Sequence, residues 1–431
     1  MTQREATTYA LEALQQKGAQ LVSITSSAGY TEELNADIGE FSLYRTLFNS
    51  SVSLKVIKDG KKGSGVTNSF DKTALDEAIA AALAAAEAGV VDEDEGIAEK
   101  TENKTFTSGV LSADKELLFQ RILEYMNELK KNYPKVNLEQ FIAQYVNNNV
   151  LLMNSNGVEL SSHSGFYDYS SMFSGHDGPL STSFNGYGGT FTDLSTPLID
   201  FGMMRTVFED TVKSFHATPV RGKFTGPVIF TPTCVGEFLY NVMRLFAGEA
   251  PLIQKTALWR DQLGQQVASS KLTFGSYPHD PRIICGAPFT NDGYLAADMD
   301  FIKEGVLKSF LLSRYGSKKT GLPRSANLSG DLIVAPGDAN LAEMIAGIEH
   351  GLIVNRFSGG APAGNGDFSG VAKNSFIIQD GKIVGPLNET MISGNLAEIV
   401  QNIIAISQET VCDGGSVLPW IAAGGITISG A

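Results

Sequence analysis

The residues that most often bind catalytic metals are scattered along this chain of 431 residues. Neighbouring histidines are at least thirteen positions apart, and the five are His163, His176, His216, His279 and His350. A zinc hydrolase usually takes two ligands from one face of a helix, where residues about four positions apart point the same way. No two histidines have that spacing, so the sequence predicts no zinc site built on a local histidine pair.

The cysteines, the first eighteen residues and the length of the apolar runs indicate the cellular compartment. Cys234, Cys285 and Cys412 are an odd number of thiols at wide separations, which favours reduced cysteines over a disulfide framework. Residues 1–18 form a polar amphipathic pattern without the basic, apolar and small-residue order of a signal peptide. No apolar run reaches the length that spans a membrane. We therefore expect a soluble, cytoplasmic protein with no membrane partner.

The composition limits the number of domains and the classes of partner. A chain of this length exceeds what one hydrophobic core usually serves, and 43% apolar residues suffice for two cores. The chain carries 33 basic and 47 acidic residues, a net charge of -14, which repels the phosphates of nucleic acids. We expect two domains, residues 1–216 and 217–431, and no nucleic-acid partner.

The first half has the periodicity of an N-terminal α/β domain. Apolar residues recur at helical spacing in residues 5–17 and 74–88, and strand-like runs between them lie at 21–25, 41–48, 51–57 and 65–70. The Asp59-Gly60 pair favours a tight hairpin turn before the last run. We interpret this half-domain as an α-β-β-β-α unit.

A comparable order follows from Ala113. Helical patterns at 117–131 and 198–215 enclose strand-like segments at 138–146, 150–154 and 158–167, which suggests a duplication of the first unit. Between the units, residues 90–104 contain four consecutive acidic residues at 92–95. Their spacing lacks the twelve-residue calcium-loop pattern, so we interpret this segment as a solvated linker.

The second half is predicted to be a mostly antiparallel β domain with flanking helices. A strand at 227–231 leads into a helix at 234–246, and two more helices are predicted at 341–349 and 395–404. The turn pairs Glu304-Gly305 and Asp380-Gly381 lie between alternating apolar runs, as in β-hairpins. The predicted fold class is therefore α+β.

A glycine-rich segment at 358–370 interrupts these strands. Its glycines do not fit the dinucleotide fingerprint, no Lys-Ser or Lys-Thr pair follows, and the next predicted element is a strand, so a nucleotide site is not indicated. Glycine has no side chain, so the backbone of this segment is accessible. The segment is therefore predicted to be a wall with which an extended peptide pairs as an added strand. The residues predicted for this peptide-binding loop are Gly359, Gly360, Gly364, Gly366 and Asp367.

Several ordered motifs in the second half resemble the TldD/PmbA family. They are LWRDQLGQQV at 258–267, FIKEGVL at 301–307, ISGNL at 392–396 and GSVLP at 415–419. The likeness covers essentially the whole second half, and the first half fits in its order of helices and strands. The motifs look most like the PmbA branch, which is also called TldE and was historically labelled a modulator of DNA gyrase.

The resemblance implies a cytoplasmic metalloprotease that degrades or matures unfolded peptides as a two-chain particle. In the TldD branch a helix carries His-Glu-x-x-x-His, and a later cysteine is thought to complete the zinc site. Registering this chain through residues 263–267 places Asn241 and Phe246 at the histidine positions and Val242 at the glutamate position. Neither Val242 nor Phe246 can hold zinc or accept a proton. Cys412 resembles the position of the third ligand, although a lone thiolate would bind zinc poorly and a small buried residue is its other interpretation.

The resemblance therefore predicts a catalytically silent PmbA/TldE-like subunit without a cofactor of its own. It would shape a cavity and bind unfolded peptides, while a TldD-like partner supplies the zinc and the general base. Two alternatives remain open at this point. The chain could be a self-sufficient homodimeric peptidase that uses other residues, such as Asp413, Glu249 or Cys412. It could also be a non-enzymatic adaptor that binds a folded partner, in keeping with the gyrase label.

Overall fold

The computed structural model describes residues 1–388 and 390–430, and within them the chain forms two large β-sheets flanked by helices. This agrees with the predicted α+β class. The helices, numbered along the chain, are α1 (Gln3–Gln16), α2 (Lys72–Ala88), α3 (Lys115–Asn132), α4 (Met204–Lys213), α5 (Pro232–Ala247), α6 (Glu249–Ile253), α7 (Arg314–Thr320), α8 (Leu341–Ala346) and α9 (Leu396–Gln401). Short 3₁₀ turns lie at Leu198–Asp200 and Ser214–His216.

The first sheet has the order β3-β2-β1-β5-β6-β4, and β7 and β8 also pair with β6. Its strands are β1 (Leu21–Asp37), β2 (Glu40–Lys58), β3 (Lys61–Thr67), β4 (Lys104–Gly109), β5 (Val136–Asn154), β6 (Glu159–Asp177), β7 (Leu180–Ser181) and β8 (Asn185–Phe191). The order helix, three strands, helix occurs as α1-β1-β2-β3-α2 and again as α3-β5-β6-β8-α4, with the short β7 inserted. The first strands of the two units, β1 and β5, pair antiparallel in the middle of the sheet. This topology agrees with the predicted duplication.

Two pairs of predicted strands are single long strands in the structure. Residues 41–48 and 51–57 both lie in β2, and residues 138–146 and 150–154 both lie in β5. The polar residues between the predicted strands, such as Asn49 and Asn148, pair laterally with Gly29 of β1. The ladder of inter-strand hydrogen bonds keeps the chain extended, and the local turn preference of these residues is overridden.

The helices of the first sheet pack on its apolar side. The alanine-rich α2 lies unusually close to β3, since a Cβ at Gly63 would be 2.0 Å from the carbonyl oxygen of Ala82 and one at Gly65 would be 2.4 Å from that of Ala78. Small residues on both elements therefore permit the close contact. A separate aromatic core, which includes Tyr125, forms between α3, α4 and the strands of the second unit.

The second sheet has the order β12-β11-β10-β13-β21-β9-β14-β17-β18, with β15, β16, β19 and β20 joined at its side. All pairs are antiparallel except β13 with β21 and β14 with β9. Its strands are β9 (Lys223–Phe230), β10 (Phe274–Ser276), β11 (Met299–Lys303), β12 (Val306–Leu307), β13 (Leu332–Val334), β14 (His350–Val354), β15 (Arg356–Gly359), β16 (Asp367–Lys373), β17 (Ser375–Gln379), β18 (Lys382–Leu387), β19 (Thr390–Asn395), β20 (Ile403–Cys412) and β21 (Val417–Ser429).

Both hairpin turns predicted in this sheet are present. Glu304 and Gly305 join β11 to β12 with φ of 49° and 78°, and Asp380 and Gly381 join β17 to β18 with φ of 50° and 70°. Two successive positive φ values are the type I′ geometry that suits the twist of a hairpin. In the described part of the chain, none of the helices is long and apolar enough to cross a lipid bilayer.

The acidic segment at 92–95 is not a solvated linker, and that interpretation was wrong. Glu95 has a buried side chain that forms ion pairs with Lys55 at 2.7 Å and Lys62 at 2.8 Å. Asp92 accepts a hydrogen bond from Lys319 of α7 at 2.8 Å. Asp94 also pairs with Lys319, at 3.2 Å, whereas Glu93 is exposed. Asp92, Asp94 and Glu95 therefore fix the path between the two α-β-β-β-α units through lysines that are distant in sequence.

Candidate functional site

Helix α5 has one buried face and one exposed face. It begins with Pro232, whose fixed φ suits the first turn of a helix. Its apolar residues recur every three or four positions and pack on the second sheet, and they are Val235, Phe238, Leu239, Val242, Met243 and Phe246. The opposite face carries Thr233, Glu237, Tyr240, Asn241 and Arg244, again at spacings of three and four.

Two of the three residues at the predicted zinc positions belong to the core. Val242 packs among the buried side chains between α5, α9 and β21. Phe246 is fully buried, with its ring centroid 5.0 Å from that of Trp259. Asn241 lies on the exposed face, where its amide donates to the Glu237 carbonyl oxygen at 3.0 Å. Asn241 therefore lies on a different face of α5 from Val242 and Phe246.

Cys412 lies in different surroundings from these three residues. It ends β20, contacts the small apolar cluster of Ile283, Ile333 and Val417, and places its thiol 3.5 Å from the Arg282 carbonyl oxygen. Burial raises the pKa of the Cys412 thiol above its ordinary value, which favours the neutral form over the thiolate that binds metals.

The donors at the predicted positions do not fit a zinc ion. Zinc requires thiolate, imidazole or carboxylate ligands that converge on one point, whereas Val242 and Phe246 offer hydrocarbon and Asn241 an amide. Across residues 1–388 and 390–430, no group of three or more histidine, cysteine, aspartate or glutamate side chains has the geometry to hold a metal ion. The residues at these positions therefore do not form a zinc site.

The glycine-rich segment forms the turn of the β15–β16 hairpin. Phe357 pairs with Ala372, Ser358 with Val371 and Gly359 with Gly370. A Cβ at Gly359 would lie 2.5 Å from the Phe357 ring, and one at Gly366, where φ is +93°, would lie 2.6 Å from Phe246 Cζ. These two glycines make room for rings of the chain itself. The hairpin turn therefore rests directly on the end of α5.

Other parts of the turn are open. A Cβ at Gly360 or Gly364 would meet no atom within 4 Å. The Asp367 carboxylate accepts hydrogen bonds from the amides of Asn365 at 2.7 Å and Asn395 at 2.9 Å. These two hydrogen bonds lower the pKa of Asp367, and the one from Asn395 has the larger effect. Asp367 therefore shapes the turn, and Gly360 and Gly364 leave its outer surface accessible.

Strand β15 runs alongside α5 and has a free edge. Within the described residues its strand partner is β16, and no strand pairs with its other edge. At its start, the Asn355 carbonyl oxygen accepts from the Thr233 hydroxyl at 2.7 Å, and the rings of Phe357 and Phe238 are 5.5 Å apart. Beyond this anchor the Cys234 thiol hydrogen-bonds to the Phe357 backbone, and among the described residues no strand pairs with this edge toward Gly359.

Two separate pockets lie near the two ends of α5, and we call the exposed surface of α5 and β15 between them the α5–β15 groove. The pocket at the start of α5 has a volume of about 90 Å³ and is lined by Asp210, Thr233, Glu237, Asn355 and Arg356, among others. The pocket at the end of α5 has a volume of about 460 Å³ and is lined by residues that include Arg244, Gly248, Glu249 and Gly364. Positions 233, 237, 241, 244 and 248 follow one helical face, so a single ligand along this face would reach both pockets.

Charged side chains lie at both ends of the groove. Burial raises the pKa of Asp210, although the Lys213 ammonium and the Asn355 amide, which donates to Asp210 at 2.9 Å, oppose that rise. Burial also raises the pKa of the Cys234 thiol to about 12. Arg244 at the other end hydrogen-bonds to Asn241 at 3.4 Å. Each end of the groove thus offers both charge signs, Asp210 and Glu237 with Arg356 at the start of α5 and Glu249 with Arg244 at its end.

Of the residues of the self-sufficient peptidase alternative, Cys412 and Asp413 are neighbours in the chain, and Glu249 forms its hydrogen bonds elsewhere. Glu249 accepts from the Ser313 backbone amide at 2.7 Å and from its hydroxyl, at the start of α7. Asp413 accepts from the backbone amides of Gly415 at 2.9 Å and Ser416 at 2.6 Å. Each of the two carboxylates stabilises a local turn or helix start, in different parts of the second sheet.

Sequence reasoning missed the exposed face of α5 and the free edge of β15. Glu237, Tyr240 and Arg244 follow the spacing of a polar helical stripe, so the pattern opposite the apolar stripe was a usable signal. The free edge of β15 had no such signal, because strand pairing depends on residues that are distant in the chain.

Comparisons with known proteins address the family. Residues 222–430 match the PmbA/TldA metallopeptidase C-terminal domain, and residues 24–86 match the PmbA/TldA metallopeptidase domain 1. The chain is 24% identical over 426 residues to the metalloprotease PmbA homolog of Haemophilus influenzae, an alignment that covers 94% of this chain and 91% of the relative. It is 30% identical over 228 residues to a metalloprotease of Methanothermobacter thermautotrophicus, covering 48% of this chain and 47% of that protein.

The fold is also similar to a solved structure. TldE from Thermococcus kodakarensis superimposes with a TM-score of 0.86 at 18% identity, covering 99% of this chain and 100% of that one. At this identity the likeness bears on the fold alone. Together the two matched domains span more than half of the chain, on both sheets.

Proposed function

This chain belongs to the PmbA/TldD metallopeptidase family, and we propose that it is a PmbA/TldE-like subunit acting in the proteolysis or maturation of unfolded peptides in the cytoplasm. Its role is to hold an extended peptide in the α5–β15 groove. A TldD-like partner subunit supplies the zinc ion and the general base. The observation that carries the proposal is the free edge of β15 beside the exposed face of α5.

Strand addition explains how such a groove selects unfolded chains. A peptide laid along β15 exchanges backbone hydrogen bonds with its open edge, which gives affinity without a particular side-chain sequence. Folded proteins have few extended segments free to pair in this way. Gly359, Gly360, Gly364, Gly366 and Asp367 form and border the wall, and the two pockets accept side chains of the peptide.

The same helix supports the division of labour between subunits. A metallopeptidase needs ligands and a carboxylate that face its substrate, whereas Val242 and Phe246 point from α5 into the core. Only Asn241, of the three positions, lies on the groove side, and an amide can hydrogen-bond to a peptide but does not activate water. The chain therefore contributes substrate binding rather than hydrolysis, and Cys412 contributes packing.

Metal analysis and peptidase assays test the division of labour. We expect the purified chain to contain less than stoichiometric zinc and to leave denatured casein intact. An equimolar mixture with its TldD-like partner should contain zinc and cleave the casein. Stoichiometric zinc together with peptidase activity in the lone chain would contradict the proposal and favour the self-sufficient homodimer.

A pair of matched variants tests the groove. Gly364→Trp places a large ring in the groove at a position where the backbone has room, and we expect at least about a tenfold loss of affinity for a fluorescent unfolded peptide. Gly385→Trp is the control, because Gly385 also has no atom within 4 Å of its Cβ position and lies in β18, outside the groove. Equal affinities of the two variants would refute the groove. Binding of folded proteins but not of unfolded peptides would favour the adaptor alternative.

A further inference from the structure

A cavity of about 300 Å³ lies between the first sheet and the segment 284–291, and we call it the β4–β6 cavity. Strands β4, β5 and β6 form its floor, and the segment 284–291 forms its roof. Its lining shares no residue with the two pockets of the α5–β15 groove. The cavity is therefore a separate site, built where the two halves of the chain meet, which is a common position for a ligand-binding site.

Three polar side chains of the floor lie in one row across neighbouring strands. Asn148 of β5 pairs laterally with Ser164 of β6, and Ser164 pairs with Ser108 of β4. Neighbouring strands are about 4.8 Å apart, so the row spans roughly 10 Å. On the same face, Val150 lies on one side of this row and Phe166 on the other. The floor is therefore a polar stripe between apolar side chains.

The polar side chains of the lining form no hydrogen bonds with other side chains or with the backbone in the described part of the chain. They are uncharged hydroxyl and amide groups, and the five are Ser108, Asn148, Ser162, Ser164 and Asn291. Their neighbours are engaged, since Asn147 donates to the Leu111 carbonyl oxygen at 3.3 Å and Thr290 donates to Asp292 at 2.5 Å. Hydroxyl and amide groups both donate and accept. A ligand in the cavity therefore meets five free groups of this kind.

The roof is held in place at both ends. At its start, the Ile284 amide donates to the Gly414 carbonyl oxygen at 2.7 Å. Near its end, Phe289 is buried in an apolar cluster that includes Leu152 and Leu160 of the floor strands. The cavity is therefore formed before a ligand arrives, and binding requires little ordering of the roof.

The lining favours an uncharged ligand, because none of the described residues that line the cavity has a charged side chain. Cys285 is exposed, but the surrounding protein desolvates its thiol and, together with the nearby carboxyl groups of Asp168 and Asp331, raises the pKa of the thiol to about 12. The thiol is therefore neutral at neutral pH. The net charge of -14 disfavours an anion, and a desolvated cation would find no carboxylate in the lining to pair with.

We propose that the β4–β6 cavity binds the amide groups of an uncharged peptide segment. An amide has both a donor and an acceptor, which match the free groups of Asn148 and Ser164, and the apolar parts of the segment pack on Val150 and Phe166. The class of ligand, an uncharged amide, follows from the lining. The choice of a peptide among such amides rests on the function proposed above.

Protection of Cys285 from alkylation measures occupancy, because this thiol lines the cavity. We expect N-acetyl-alanyl-alanine amide, an uncharged dipeptide, to slow the reaction of Cys285 with N-ethylmaleimide in the full chain, as followed by mass spectrometry. Zwitterionic alanyl-alanine should need at least about a tenfold higher concentration for the same protection, because its charges must be desolvated.

Variants of the polar row test the contacts. Ser164→Ala and Asn148→Ala should each raise the half-protecting concentration of the blocked dipeptide roughly two- to tenfold, the effect of losing one neutral hydrogen bond. Ser170→Ala should leave it unchanged, because Ser170 lies on the same strand and face but is exposed and outside the lining. Circular dichroism and thermal unfolding check that each variant is folded.

Two results would overturn the inference outright: no protection of the parent chain by the blocked dipeptide, or the same half-protecting concentration in Ser164→Ala, Asn148→Ala and the parent. Protection by glucose at a lower concentration than by the dipeptide would overturn the amide class in favour of a hydroxyl ligand.

The same assay in Gly364→Trp separates this inference from the groove. Protection of Cys285 should persist in that variant, and its loss would overturn the β4–β6 cavity as a separate site. An unchanged affinity of Gly364→Trp for a long unfolded peptide contradicts the proposed groove alone, because the Cys285 readout does not depend on it.

Discussion

Phe246 occupies a position at which the family resemblance expects a zinc-binding histidine, but in this chain it is a core residue. The side chain is fully buried, its ring lies 5.0 Å from the Trp259 ring, and it fills the space beneath Gly366. Truncating a buried phenylalanine to alanine costs about 3–5 kcal/mol, which includes the cavity that remains. We expect the free energy of unfolding to fall by this amount in Phe246→Ala.

Phe246→His restores the residue type that the family resemblance places here. The imidazole has no hydrogen-bond partner among the surrounding apolar side chains, and an unsatisfied buried polar group costs about 1–3 kcal/mol in addition to the lost packing. We expect this variant to be destabilised and to bind no stoichiometric zinc, because the neighbouring positions on α5 cannot supply further ligands.

Guanidinium unfolding followed by tryptophan fluorescence is a suitable assay. The chain has two tryptophans, and Trp259 is in contact with Phe246, so its emission also reports the local cavity. Tyr240→Ala is the control, because Tyr240 lies on the same helix but is 52% exposed, and its truncation should change the free energy of unfolding by no more than about 0.5 kcal/mol. A cost below about 1 kcal/mol for Phe246→Ala, or zinc binding that stabilises Phe246→His, would refute the assignment of Phe246 to the core.

Three further predictions concern stability. Burial raises the pKa of Glu95, but the ammonium groups of Lys55 and Lys62 outweigh it, so the pKa lies below its ordinary value. Glu95→Gln should therefore lower the free energy of unfolding by about 1–3 kcal/mol at neutral pH, and chemical denaturation should show this loss vanishing as the pH falls through the lowered pKa. Burial raises the pKa of Asp168, so its ionisation weakens the fold as the pH rises above the unfolded-state value. Asp168→Asn should remove that penalty, and its stability relative to the parent should decline as the solution is acidified below the raised pKa. Gly366→Ala should lower the thermal unfolding temperature, because a Cβ there meets Phe246 at a φ of +93°.

The predictable parts of the fold rest on local signals. The sequence predicted a helix at 234–246, which is α5, and Glu304-Gly305 and Asp380-Gly381 predicted hairpins that are present. Both features follow from neighbours within a few positions of each other. The domain boundary at residue 217 and the packing role of Cys412 stay predictions.

The errors arose where distant residues decide the structure. The acidic run at 92–95 was interpreted as solvated because its basic partners lie far along the chain, with Lys55 and Lys62 more than thirty positions before Glu95 and Lys319 more than two hundred positions after Asp92. The predicted strands at 41–48 and 51–57 were separate, whereas pairing with β1 keeps β2 continuous through Asn49. Neither partner is visible in a window of ten or twenty residues.

By itself, the sequence determined the spacing of the histidines and the residue types on α5, and thus which metal ligands this chain can offer from one helix. Only the tertiary structure decided which face of α5 meets the free edge of β15, and that the ring of Phe246 supports the glycine-rich turn. The physical reason is that side-chain chemistry and helical periodicity are local properties. Burial and strand pairing, in contrast, depend on which segments the whole chain brings into contact.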